Sequence, residues 1–487
     1  MIDIKAKIHD KFSVEFKVGF VVRRKIKENN FAINTWFFIP NSLSINSLTY
    51  PKSRFYDDMK SNIRLITPVF LLREIVSGNA IPLKNIENAF SVMASEPTRT
   101  AIREYEYQIK MFMAILKSSV RDEIMHIKKN ILSGDTEFLC KSYINNIQSI
   151  TAKYRDLWKI IDAPTISEEV LNFFFFGDEF MSNLIIQHTF HLIKNIETKS
   201  GQYKEIVQGL KDLITNEQNY KKEKGYLVVK KNDEDNNAPL ISRIGVLKKY
   251  IESDLFLKSD KKRDGNGVLV EQIYYSIAAG LSMIFATAIA FSFQKTFGNF
   301  TVPLFVALVI SYMLKDRIKE LMRYYFAYQL GTKYFDNKTT VSIGDQSIGW
   351  LKEGVDFITK KKVPREVMNL RSRSSLLDAE KRISDEKIML YRKHVHIDRD
   401  KMEQNSKYVL SGINDIMRLH VNHFTQKMDN PKEPLYVLNE SGEVSIIECD
   451  KVYYLNIIMQ FQYEEQLDYK RFRIVFQRSG ILRIEEL

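Results

Sequence analysis

One run of 21 residues, Ile273–Phe293, carries no charged side chain, and it constrains the fold of this chain more than any other feature. As a helix with a rise of about 1.5 Å per residue, this run would cross the ~30 Å hydrocarbon core of a bilayer. The alternative is a buried helical hairpin inside a soluble core, but a run of 21 uncharged residues is long for a core helix. The sequence therefore predicts a membrane-spanning helix.

A second apolar run follows after a short link. Thr301–Leu314 has 14 residues, or 18 when counted back to Phe297, which suffices if the bilayer thins locally. Pro303 fits the first turn of a helix, where its missing N–H does little harm. The two runs predict a two-helix transmembrane hairpin at residues 270–315. The small side chains that would let its helices approach closely are Ala279, Ser282, Ala286 and Ala290.

Positive charges flank the predicted hairpin on both sides but are scarce in its link. The basic flanking residues are Lys258, Lys261, Lys262 and Arg263 before it, and Lys315, Arg317, Lys319 and Arg323 after it. Because cytoplasmic flanks carry an excess of Lys and Arg, we expect both ends of the hairpin and both chain termini in the cytoplasm. The first residues lack the apolar run of a secretory signal peptide. The Lys- and Ile-rich composition favours a prokaryotic inner membrane.

The overall composition narrows the function further. The mean hydropathy of −0.25 excludes a polytopic transporter, because most of the chain must lie in water. Neither apolar run contains an ionisable residue, which argues against an ion or proton pathway. A formal net charge of +12 suits an acidic partner. Given the predicted hairpin, we expect that partner to be a lipid bilayer rather than nucleic acid.

Outside the hairpin, the periodicity of apolar residues predicts an α+β protein. Alternating patterns predict strands, and helical spacing predicts helices. The predicted order is an N-terminal β element at 1–45, a helical cytosolic domain at 46–260, a juxtamembrane helix at 316–332, and a C-terminal α+β domain at 333–487 that ends in an antiparallel sheet. Asn439 to Gly442, between two apolar runs, predicts a β-hairpin in that domain.

The most ligand-like segment is His394-Val395-His396-Ile397-Asp398. In an extended strand, His394, His396 and Asp398 share one face, and imidazole and carboxylate groups are common metal ligands. The segment resembles part of the HxHxDH motif of the metallo-β-lactamase superfamily. Arg399 stands where that motif has its final histidine. This resemblance implies a metal-dependent hydrolase, with the three residues as weak candidate metal ligands.

The sequence lacks a phosphate-binding loop, a dinucleotide-binding glycine motif, a nucleophile elbow and zinc-ribbon cysteine spacing. We therefore predict no cofactor and no catalytic residue. The favoured hypothesis is a membrane-anchored, non-enzymatic cytoplasmic scaffold that binds a protein partner in a structural or regulatory role. One alternative is a membrane-tethered metal-dependent hydrolase using His394, His396 and Asp398. The other is an oligomeric membrane effector whose hairpins assemble as a homo-oligomer.

Overall fold

The computed structural model describes residues 2–23, 25–77, 81–131, 135–164, 166–199, 203–263, 265–330, 334–371, 386–439 and 442–487. It contains helices and antiparallel sheets, so the chain is a mixed α+β protein. The chain forms two compact units. A sheet unit comprises Met1–Arg64, Lys258–Asn405 and Gly412–Leu487, and a helical unit comprises Leu65–Leu257 and Ser406–Ser411.

The elements follow in chain order. The strands are β1 (Ile2–Asp10), β2 (Ser13–Val21), β3 (Glu28–Ile39), β4 (Met59–Leu65), β5 (Lys258–Arg263), β6 (Asn337–Ile343), β7 (Gln346–Ile358), β8 (Lys387–Asp398), β9 (Gly412–His420), β10 (Lys432–Leu438), β11 (Val444–Asp450), β12 (Tyr453–Tyr463), β13 (Gln466–Gln477) and β14 (Gly480–Glu486). The helices are α1 (Lys52–Asp58), α2 (Leu72–Val76), α3 (Ile81–Ser95), α4 (Arg99–Lys129), α5 (Thr136–Asp156), α6 (Trp158–Ile161), α7 (Glu168–Lys199), α8 (Lys204–Glu223), α9 (Glu234–Glu252), α10 (Gly265–Phe297), α11 (Val302–Leu330), α12 (Arg365–Arg371), α13 (Arg399–Gln404) and α14 (Asn422–Thr425).

A polar network lies inside the helical unit. α7 is apolar along most of its length, but it carries the buried carboxylate of Asp178. Arg155 of α5 donates to Asp178 at 3.0 Å and to Glu217 of α8 at 2.8 Å. Tyr220 donates its hydroxyl to Asp178 at 2.9 Å. Because these carboxylates accept hydrogen bonds from a guanidinium and a phenol, α7 packs in the core of this unit despite its charges.

Three sheets form the sheet unit. The largest has eight strands in the order β14-β13-β12-β3-β8-β7-β6-β5, the second has the order β1-β2-β9-β4, and β10 and β11 form a third. Aromatic rings of the first two sheets pack against each other. The ring centroids are 5.7 Å apart for Phe16 and Phe472, and 5.3 Å apart for Phe20 and Phe31. The core of this unit therefore lies between the eight-stranded and four-stranded sheets.

The N-terminal strands lie in the same unit as the C-terminal ones. β3 pairs with β8 on one side and with β12 on the other, and β2 pairs with β9. The sequence predicts separate domains at 1–45 and 333–487, whereas the structure joins residues of both segments in one unit. Alternation along a strand identifies the strand, but it does not identify a partner hundreds of residues away.

A buried charge cluster crosses the core of the sheet unit. The ammonium group of Lys393 is fully buried. It forms a salt bridge with Asp415 of β9 and lies 3.0 Å from Glu353 of β7. Ser61 of β4 donates its hydroxyl to Asp415 at 2.5 Å. Burial raises the pKa of Glu353, but Lys393 and Lys261 outweigh it and lower the pKa to about 2. The charges are thus compensated, and the cluster links strands of both sheets.

We expect Lys393→Met to lower the free energy of unfolding of the sheet unit by about 3–5 kcal/mol, because it leaves Asp415 and Glu353 buried without their shared cation. Lys401→Met is the matched control. Its side chain is 58% exposed, its ammonium group lies 3.5 Å from Asp398, and exposed pairs contribute at most about 1 kcal/mol.

Urea unfolding of the detergent-solubilised chain measures both variants. In a Trp158→Phe background, tryptophan fluorescence reports on the sheet unit, which contains Trp36 and Trp350. Equal losses of stability in the two lysine variants would show that the buried cluster does not hold the sheets together.

A candidate membrane-inserting hairpin

The helices α10 and α11 connect two paired strands at the edge of the eight-stranded sheet. β5 and β6 are antiparallel, with Lys258 opposite Ser342 and Arg263 opposite Asn337. Antiparallel neighbours are usually joined by a short turn, and here a helical hairpin replaces that turn. Because the paired strands end side by side, both helices leave from and return to one place on the sheet.

Side chains of the sheet unit hold the segment that follows α11. The carboxylate of Asp336 accepts hydrogen bonds from the hydroxyl of Tyr56 at 2.8 Å and from the ammonium of Lys52 at 2.9 Å. Burial and the nearby Asp336 raise the pKa of Tyr56, so its phenol stays protonated and donates. Arg392 donates to the carbonyl oxygen of Tyr334 at 2.9 Å. The return of the hairpin to β6 is therefore fixed by three side chains.

The surface of the hairpin is apolar and uncovered. By length and composition, α10 is the one helix within the described ranges that could cross a membrane, over Gln272–Phe297, and its most apolar 18-residue window has a mean hydropathy of 1.8. Only 11% of its most apolar window is buried. Large exposed side chains continue on α11, for example Phe305 and Met313. A core helix would be mostly buried, and water-exposed surfaces rarely carry so large an apolar patch.

Small residues pack the two helices together. Ala278 and Ser282 of α10 are buried, as are Ala307 and Ser311 of α11. The hydroxyl of Ser311 donates to the carbonyl oxygen of Ala286 at 3.2 Å. The predicted stripe of small residues faces this interface, with Ser282 buried and its other three members half-buried. Of this stripe, Ala286 is in hydrogen-bond contact with α11.

The link between the helices differs from the prediction. Phe297 is the last residue of α10, and α11 begins at Val302, so the second apolar run does not extend back to Phe297. Gly298 has a φ of 76° and Phe300 a φ of 62°, and these left-handed conformations turn the chain between the helices. The predicted juxtamembrane helix 316–332 is likewise not separate, because its described part continues α11 without a break.

The register of the helices defines the depth of the shared apolar band. Ser311 lies opposite Ala286, and the guanidinium of Arg323 lies 5.0 Å from the ring centroid of Tyr275. The charged turns of α11, from Lys315 onward, therefore lie beside the first half of α10. On α11 the apolar band runs from Val302 to Leu314, a depth of about 20 Å at about 1.5 Å per residue, which is less than the ~30 Å hydrocarbon core. Lysine side chains at the two ends of the apolar band, such as Lys295, can extend toward the lipid head groups and so compensate for the shorter apolar length.

His394, His396 and Asp398 lie on one face of β8, as the alternation predicts. Within the described residues, no group of three or more His, Cys, Asp or Glu side chains could hold a metal ion. The ring of His394 packs on Phe335 at 4.7 Å between centroids. Partial desolvation, with the nearby cations of Arg392 and Lys352, lowers the pKa of His394, which favours the neutral ring.

The other two candidate ligands have partners of their own. The ring of His396 stacks on Trp350 at 5.3 Å, and its Nδ1 lies 2.8 Å from Oδ1 of Asn30. Asp398 is the N-cap of α13 and accepts a hydrogen bond from the backbone N–H of Lys401 at 3.2 Å. The three side chains therefore have sheet-surface and capping contacts, and this geometry lends no support to a metal-dependent hydrolase.

Comparison of the chain with protein families, with characterised proteins and with solved structures found no match. Sequence reasoning located the hairpin but missed Asp336, Tyr56 and Lys52, whose contacts fix the segment between α11 and β6. These residues come from segments about 280 positions apart, and no local pattern marks them.

A cysteine pair tests the register of the hairpin. We expect Ala286→Cys with Ser311→Cys, in a background lacking Cys140 and Cys449, to form a disulfide under mild oxidation, because the two positions are in contact across the interface. Peptide mass spectrometry of membrane fractions measures the bond. The control pair replaces Ser311 by its exposed neighbour Tyr312. Equal cross-linking of both pairs would contradict this register.

Proposed function

We propose that this chain is a membrane-anchored module. In this proposal, α10 and α11 insert into a lipid bilayer as a two-helix transmembrane hairpin. The observation that carries the proposal is the uncovered apolar surface of both helices, only 11% buried in the most apolar window of α10. Transfer of such a surface from water to lipid is strongly favourable, at about 25 cal/mol per Å² of apolar area.

The pairing of β5 with β6 supports a topology in which both ends of the hairpin lie on one side of the bilayer. Arg263 and Asn337 are directly opposite each other, so the helices start and end together. The basic residues on both flanks favour the cytoplasmic side. We infer that both chain termini and both compact units face the cytoplasm at a prokaryotic inner membrane.

For the soluble units we propose a structural or regulatory role through a protein partner, rather than catalysis or nucleic-acid binding. A membrane anchor confines its attached units to a surface and raises their concentration relative to other membrane-bound proteins. Two features support this choice. The candidate ligands on β8 each have other partners, and an apolar surface on the sheet unit, described below, has the composition of a protein interface.

Charges placed on the lipid-facing side of the hairpin test the anchor. Ile284 of α10 is 65% exposed and Ile310 of α11 is 50% exposed. We expect Ile284→Asp with Ile310→Asp to move the chain from the carbonate-resistant membrane pellet to the supernatant, because each aspartate costs about 3 kcal/mol at the bilayer centre.

The matched control is Leu48→Asp, at a side chain of the sheet unit that is 91% exposed and lies outside the hairpin. This variant should remain in the pellet with the wild-type chain. Release of the wild-type chain by carbonate, or retention of the double variant, would contradict membrane insertion.

A further inference from the structure

The strands β10 and β11 form a two-stranded sheet. Every described side chain of β10 is exposed, and those of β11 are exposed or half-exposed. Isolated two-stranded hairpins are at best marginally stable in water, and they gain stability by packing against another surface. We therefore expect one face of the β10–β11 hairpin to pack against another surface.

Both faces of this hairpin carry apolar side chains, and those of one face are the more exposed. Tyr436 pairs with Ile446 and Leu438 pairs with Val444, so their side chains point to the same side of the two strands. The exposed fractions of these four residues are 71%, 61%, 69% and 69%, respectively. We call this surface the even face. The opposite face carries Leu435, Val437 and Ile447, which are less exposed, at 55%, 42% and 50%.

Charged residues surround the even face. Lys432 and Glu448 form an ion pair of 3.1 Å at its base, and the exposed carboxylate of Glu443 lies at its tip. An apolar centre with a charged rim is the anatomy of a protein–protein interface. A lipid bilayer fits less well, because insertion would carry Glu443 and the backbone groups at the strand edges into hydrocarbon.

We propose that the even face binds the even face of a second copy of this chain. The four side chains leave on the order of 500 Å² uncovered, and with the charged rim they approach the ~800 Å² that each partner contributes to a standard interface. A flat two-stranded patch packs on its own copy about a two-fold axis, which buries the same four residues on both sides.

This inference stands on the hairpin geometry and does not depend on the membrane proposal. Membrane anchoring would strengthen the association, because copies held in one bilayer share an orientation and a high local concentration. The resulting dimer would be closed, since a two-fold interface uses each even face once.

The test is the mass of the full-length chain in detergent, corrected for bound detergent and measured at several micromolar concentrations. The wild-type chain should have twice the monomer mass. Tyr436→Asp with Ile446→Asp should give a monomer and raise the dissociation constant at least on the order of 100-fold, because two charges would be buried at the centre of the interface. Leu435→Asp with Ile447→Asp, directly paired on the opposite face, should remain a dimer.

Three results would overturn the proposal. They are a monomeric wild-type chain at every concentration, an even-face variant that remains dimeric, and equal dissociation of both variants. Fractionation of the even-face variant with membranes separates this test from that of the anchor, since loss of the dimer should leave carbonate resistance unchanged. Unchanged urea unfolding of the sheet unit in both variants shows that the substitutions do not act through misfolding.

Discussion

The antiparallel pairing of β5 with β6 is the constraint on which the functional arrangement depends. These strands bring Arg263 and Asn337 side by side at the edge of the eight-stranded sheet, and α10 and α11 occupy the place of the turn between them. Both ends of a hairpin held in this way lie at the same level, at the edge of the sheet. Its apolar surface can enter a bilayer only with the sheet unit remaining on the side of entry.

A continuous set of charges connects this edge to the core. Lys261 of β5 lies 3.0 Å from Glu353 of β7, which lies 3.0 Å from the buried Lys393 of β8, and Lys393 is bonded to Asp415 of the other sheet. Asp336, immediately before β6, is held by Tyr56 and Lys52. The stem of the hairpin is thus fixed to both sheets, which gives the hairpin a rigid base.

Local sequence patterns predicted the elements of this fold better than their arrangement. The uncharged run, the small residues between the helices and the β10–β11 hairpin follow from periodicity, charge and turn residues close together in the chain. The pairing of β3 with both β8 and β12 was not predicted, because strand partners distant in sequence leave no local signal. The depth of the shared apolar band, about 20 Å, also required the register of α10 on α11, which the Ser311–Ala286 contact sets.

The same limit applies to the candidate residues. Alternation correctly placed His394, His396 and Asp398 on one face of β8. It could not reveal that Phe335 and Trp350 pack on the two imidazole rings, since those aromatic residues come from other segments of the sheet unit. Ligand-like composition on a strand therefore identified a shared face, and the neighbouring residues determined what that face contacts.

The proposed topology places the hairpin across a bilayer with both units on one side. Single cysteines replacing Ile241, Asn299 and Lys401, in a background lacking the native cysteines, report the side of each segment to a membrane-impermeant thiol reagent. In sealed cells, position 299 should be labelled, and positions 241 and 401 should be labelled only after permeabilisation. Labelling of position 401 or 241 from outside, or protection of position 299 until permeabilisation, would contradict the account.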